Sequence, residues 1–203
     1  QHTAQGELGE LILFTLLDVY FQAPKILSKV SLKTSRRMPV FGADAVHGQF
    51  HNGKFRIYLG ESKLHKDFKS AATDAAKSIK KAKDKYEDEF DLLDSHIDFP
   101  DMDENLESEL LNILDPFSDN NLSDVIYSPC FIGFAEPDMI SRYSSESDFL
   151  DSYTDLAGEY IAHFFDKVEG QGMDIDETAL LMLPFSSVDD LVKGFIAHLG
   201  IEK

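Results

Sequence analysis

One dipeptide constrains this chain more than any other feature. Asn52-Gly53 stands between two runs with alternating apolar residues, VFGADAVHGQF (40–50) and KFRIYLGESKL (54–64). Asn-Gly tolerates the positive φ angles of the tight turns whose twist matches paired strands, so the two runs are predicted to form an antiparallel hairpin. Along the second run, period two puts Phe55, Ile57, Leu59, Glu61 and Lys63 on one face. The first three are core residues, and the last two emerge where that packing ends. The same period puts Gly42, Asp44 and Val46 on one face of the first run, so Asp44 and Glu61 are expected to meet at the open end of the hairpin, with Lys63 beside them. Two carboxylates in one partly buried place repel unless a proton or a cation bridges them, and a divalent metal is the economical bridge. The carbonyl of Ser62 would add a further oxygen ligand. The plainer alternative is a Glu61–Lys63 ion pair at a strand end, an arrangement worth little energy.

The rest of the chain reads as a mixed α/β protein in which helices flank a sheet. Leu8, Leu11, Ile12, Thr15 or Leu16, and Val19 recur at helical spacing and predict a helix from about residue 6 to 21, ended near Pro24. A short strand is expected near Lys29 to Lys33. DFKSAATDAAKSIKKAKDK (67–85) sets Phe68, Ala71, Ala72, Ala75 and Ile79 on one helical face and lysines on the other. A helix is expected from Glu104 to Leu114. DVIYSPCFIGFA (124–135) reads as a buried strand that Pro129 should push to an edge or a bulge. DFLDSYTDLAGEYIAHFFDKV is a strong helix, TALLMLPF a short buried strand, and SSVDDLVKGFIAHLG a final helix with a serine cap and a terminal glycine. Phe164, Phe165 and Phe195 fall on apolar helix faces as core. Cys130, the single cysteine, excludes an intramolecular disulfide and reads as a small buried hydrophobe.

Charge is distributed unevenly. The formal net charge of −18 argues against a polyanion partner at face value. Yet residues 19–85 hold 15 Lys and Arg against 5 Asp and Glu, while residues 86–203 hold 4 against 29. Such asymmetry points to a polyanion partner or to an acidic docking surface. The division into residues 1–85, a core with helix, hairpin and basic helix, and 86–203, an acidic remainder completing the same domain, follows from it. Lys33, Arg36, Arg37, Lys66 and Lys69 are candidate phosphate contacts. His47 and His65 flank the hairpin's charged end and read as strand-end residues with satisfied rings. With no apolar run long enough to span a bilayer and no signal peptide pattern, the expected location is the cytoplasm. A chain that opens with Gln, already within a turn of a helical pattern, reads as one trimmed at its N-terminus.

An acid in a leading helix, an Asp at a strand, then Glu-x-Lys at the next strand resembles the PD-(D/E)xK nuclease superfamily. Here the pattern reads as Glu10, Asp44, Glu61, Ser62 and Lys63, with Ala43 in place of the superfamily's proline. GELGELILFTLL, SLKTSRRMPVFGADAVH and LGESKLHKDFKSAATDAAKSI further resemble the effector subunit of the Hachiman antiphage defence system. This resemblance implies a restriction-endonuclease-like core and a Mg²⁺- or Mn²⁺-dependent DNA nuclease controlled by a superfamily 2 helicase partner. It implies that Asp44 and Glu61 ligate the metal, that Lys63 orients or activates water, and that Glu10 adds a carboxylate from the side. Glu7, one turn earlier, is the rival to Glu10. Two other functions fit the residues: a catalytically silent adaptor that binds DNA or a partner, and an acidic surface that docks a basic partner or shields the site from DNA.

Overall fold

The computed structural model describes residues 2–23, 25–28, 45–51, 54–90, 104–105, 108, 112, 125–143 and 145–200. Asp44, Lys33, Arg36, Arg37 and the Asn52-Gly53 turn lie outside them, as does the strand expected at 29–33. In chain order the elements are α1 (His2–Val19), β1 (Lys25–Ser28), β2 (Ala45–His51), β3 (Lys54–Leu59), β4 (Glu61–His65), α2 (Phe68–Phe90), β5 (Ile126–Ala135), α3 (Pro137–Arg142), α4 (Glu146–Gly170), β6 (Thr178–Phe185) and α5 (Val188–His198). Residues 104, 105, 108 and 112 are helical, within the helix expected there.

The six strands form one mixed sheet. β1, β2 and β3 pair antiparallel, whereas β3, β4 and β6 all run parallel to β5. The hairpin register pairs His51 with Lys54, leaving two residues between the strands. β3 and β4 lie along the same edge of β5 in unchanged register: Tyr58 faces Tyr127, and Glu61 faces Cys130. They are one line of chain interrupted at Gly60, the position that this register sets opposite Pro129.

That explains a departure from expectation. Pro129 is neither at an edge nor at a bulge of its own strand, because β5 runs unbroken between β4 and β6. A proline cannot donate to a ladder, and the interruption is transferred to the neighbour at Gly60, where no side chain resists it. β6 differs in the other direction. Among the described residues it pairs with β5 alone, and with Leu183 41% exposed it is partly exposed instead of buried.

Two helical layers cover the sheet. α2 and α4 pack Phe68, Ala71, Ala75, Ile79, Phe164 and Val168 against Cys130, Ile132 and Phe134 on one face. Phe68 stacks on Tyr160 with centroids 4.2 Å apart and meets Phe134 edge-on at 5.2 Å. α1 and α5 pack Leu8, Leu13, Leu17, Val188 and Val192 against Leu64 and Phe131 on the other. The buried row of α1 is thus Leu8, Leu13 and Leu17, while Leu11 and Val19 face outward. Two helix starts are capped: Asp67 Oδ1 accepts from Ser70 N at 2.7 Å, and Ser187, the expected serine cap, accepts through Oγ from Asp190 N at 3.1 Å. Gly200 follows α5 with φ +66°. No described helix is long and apolar enough to cross a membrane.

Candidate functional site

The charged end of the hairpin is built by alternation along β4. Ser62 and Leu64 point toward α1, and Glu61 and Lys63 point to the opposite face, where Cys130 is the neighbour of Glu61. On the α1 side, chain meets chain at backbone distance. A Cβ on Gly9 would lie 3.0 Å from Ser62 Oγ, a Cβ on Gly60 would lie 2.7 Å from Leu13 Cδ2, and Gln5 Nε2 donates to the Leu64 carbonyl at 2.5 Å. Gly9 carries a signal in the sequence, a glycine on an apolar helical row, and in the fold the Ser62 and Leu64 side chains pack against its backbone.

On the other side Glu61 and Lys63 form an ion pair at 2.7 Å, with side chains 22% and 31% exposed. The pair of the plainer reading is therefore present. Its surroundings are unusual for a surface pair, because the β2 ladder ends where Val46 pairs Leu59. From Gly60 onward no described strand lines the outer edge of β4. Beneath the pair, burial pushes the Cys130 thiol well up, reinforced by the Glu61 carboxylate, so Cys130 is a neutral wall and not a nucleophile. Nothing local in the sequence brings Cys130 to Glu61; a parallel pairing between distant segments does.

The remaining candidates fall into place around this pair. Glu10 is half-buried on α1, one residue after Gly9, and thus on the helix that covers the face opposite Glu61. Phe14, one turn further, packs against the His47 ring at 5.3 Å, which sets the Glu10 and Phe14 side of α1 toward β2. Glu7 is exposed. Among the described residues no three His, Cys, Asp or Glu side chains are grouped as metal ligands would be. His47 is buried, with Nδ1 2.8 Å from the Ala23 carbonyl, and His65 Nδ1 accepts from Asp67 N at 3.0 Å, so both rings serve local structure. Lys66 pairs with Asp189 at 2.7 Å and Lys69 with Glu159 at 2.6 Å; both lysines are held in their charged form by these partners.

For a cation, the described residues provide hard oxygen donors next to one another, the Glu61 carboxylate and the Ser62 carbonyl, in a half-exposed position. That donor chemistry suits Mg²⁺, which takes few protein oxygens and keeps its waters.

A family model described as HamA matches residues 1–199 of the chain. No curated protein and no solved structure matches it.

Proposed function

Since the chain belongs to the HamA family, the effector component of Hachiman antiphage defence, we propose that it is a metal-dependent nuclease that hydrolyses DNA phosphodiester bonds and is controlled by a superfamily 2 helicase. The observation that carries this reading is the Glu61–Lys63 pair, half-exposed on β4 where the β2 ladder has ended. A carboxylate and an ammonium at that place can serve a phosphate and a water at once. Asp44, two residues before Val46, completes the ligand set in this reading, which requires it to reach the Glu61 end of the hairpin.

Glu61, the Ser62 carbonyl and Asp44 would hold Mg²⁺ or Mn²⁺, with Glu10 in support. When bound, the ion offsets phosphate charge and acidifies a coordinated water. The chain's own residues do the rest. The Lys63 ammonium, released from Glu61, donates to a phosphate oxygen and orients the attacking water. The neutral wall of Cys130 and its neighbours lowers the local dielectric, which strengthens each of these interactions. Glu10 would add a carboxylate from the α1 side.

The test is incubation of linear and circular DNA with the protein, with and without its helicase, in Mg²⁺, Mn²⁺ or EDTA. Cleavage is expected with metal only, and Glu61→Ala and Lys63→Ala should abolish it in a folded protein. Variants that cut as well as the parent would refute the assignment.

A second reading, compatible with the first, rests on a separate observation: Lys66 and Lys69, from the basic segment, are each paired with an acid of the acidic half, Asp189 and Glu159. In this reading the acidic half shields basic residues from DNA. The Glu159→Gln/Asp189→Asn double variant should then bind DNA more tightly at low salt, and unchanged affinity would count against shielding.

A further inference from the structure

A pocket of about 510 Å³ opens at the C-terminal end of α1, on the α1 face of the sheet, between β2, β3, β5 and β6. It is separate from the Glu61–Lys63 pair. Arg56 and Glu61 lie on one line of chain five positions apart, hence on opposite faces and roughly 16 Å apart at the rise of a strand. Its volume falls within the range of small-molecule sites.

Two observations mark the pocket as more than a packing defect. The first is Arg56. Its guanidinium carbon lies over the Tyr127 ring, 4.3 Å from the centroid, a cation–π contact that uses none of its N–H donors. In a chain with 37 acids against 19 bases, most described lysines hold a carboxylate within 4 Å, yet no described carboxylate pairs with Arg56. The second is Gln22 at the rim, in the left-handed region at φ 52°. Ala23 N bonds Leu17 O at 3.1 Å, so Gln22 occupies a helix C-terminal position where glycine is the unstrained choice. A glutamine kept in such a conformation at a pocket rim is strain of the kind found at binding sites.

We propose that this pocket binds a single nucleotide, a nucleobase carrying at least one phosphate. Tyr20, 74% exposed at the rim, supplies a ring for the base to stack on. The Gln22 amide can pair with a base edge, donating and accepting together. Arg56 takes the phosphate through paired N–H donors. Asp176, across the pocket, accepts from an exocyclic amine or a sugar hydroxyl and repels phosphate, which fixes the ligand's direction. The same chemistry is offered by a free mononucleotide and by an unpaired nucleotide within a single strand.

Isothermal titration of the full chain in EDTA, which stops metal-dependent cleavage, tests this with dAMP, adenosine and a short oligodeoxyadenylate as probes. Saturable binding of dAMP is expected, with adenosine weaker because it has no phosphate for Arg56. Competition by the oligodeoxyadenylate would assign the site to a strand, and its failure to compete would assign it to the free nucleotide. Tyr20→Ala and Arg56→Gln should each weaken dAMP by about tenfold or more, the size of one lost stacking or charge-assisted contact. Gln22→Gly should weaken dAMP while raising thermal stability, a pairing of effects that a purely structural glutamine would not produce. Absence of dAMP binding, or binding unaltered in Tyr20→Ala and Arg56→Gln, would overturn the proposal. Because the titration reads binding without metal, its failure would leave the Glu61–Lys63 reading standing, and the reverse holds as well.

Discussion

The two faces of β4 solve opposite problems with adjacent residues. Ser62 and Leu64 face α1 across a contact so close that Gly9 and Gly60 leave no room for a side chain. Glu61 and Lys63, one residue to either side of Ser62, keep an ion pair that water still reaches. The first face is specified by shape, so an added atom forces its neighbours to shift. The second is specified by charge and tolerates many substitutions structurally, which is the condition for a site whose chemistry can be altered without unfolding its support. Stability and activity should therefore separate along a single five-residue strand.

The strongest way to break that comparison is Lys63→Ala. On the open face it should reduce metal-dependent DNA cleavage by about 10²–10⁴-fold, the usual cost of losing a group that handles the reacting water. It should change stability by no more than about 1 kcal/mol, as exposed pairs do. Cleavage assays beside thermal melts decide it, and a large fall in melting temperature would show that the open face is structural after all. Next in size is Gly133→Ala. Its added carbon would sit 2.9 Å from Phe185 Cε2 and against Leu64, on the α1 side of β5. The expected loss is about 1–3 kcal/mol in denaturant unfolding. A neutral result would mean that the sealed face can relax.

A smaller effect belongs to Asp67, which joins β4 to α2. Its side chain accepts from Ser70, and that hydrogen bond holds the carboxyl below its ordinary range. A depressed carboxyl stabilises the fold above its unfolded pKa of about 4 and loses that contribution as pH falls through the lower folded value. Asp67→Ala should thus cost about 1 kcal/mol at neutral pH and much less in strong acid, as unfolding curves at the two pH values would reveal. The smallest effect is expected for Glu159→Gln, which breaks an exposed pair with Lys69. It should leave the melting temperature where it was while strengthening DNA binding slightly at low salt.

Local pattern carried a good part of this architecture. The apolar row of α2, the cap of α5, the hairpin register and the Glu61–Lys63 neighbourhood all depend on residues a few positions apart, and all can be read from spacing. The candidate site was legible only as far as those two residues, with the metal, Asp44 and the DNA contacts standing as expectations. Sheet order was not legible. Pro129 argued for an edge because a lone sequence cannot show that its missing donor faces Gly60, a partner brought by parallel pairing. β6 looked buried because TALLMLPF is apolar, although among the described residues it pairs with β5 alone and exposes part of itself. The pocket around Arg56 escaped for the same reason: an arginine between Phe55 and Ile57 is visible in the sequence, but Tyr127 reaches it only through the sheet.

The unbroken register from Tyr58 to His65 along β5 also sets an order of events during synthesis. Glu61 is made early, yet its neighbour Cys130 and the flanking Leu180 arrive much later. Chains lengthen by about 5–20 residues each second, so the delay is on the order of ten seconds. Through that interval β4 has neither its central strand nor the layer beyond it. Whatever the Glu61–Lys63 pair does, a nascent chain still on the ribosome has not yet assembled the means to do it.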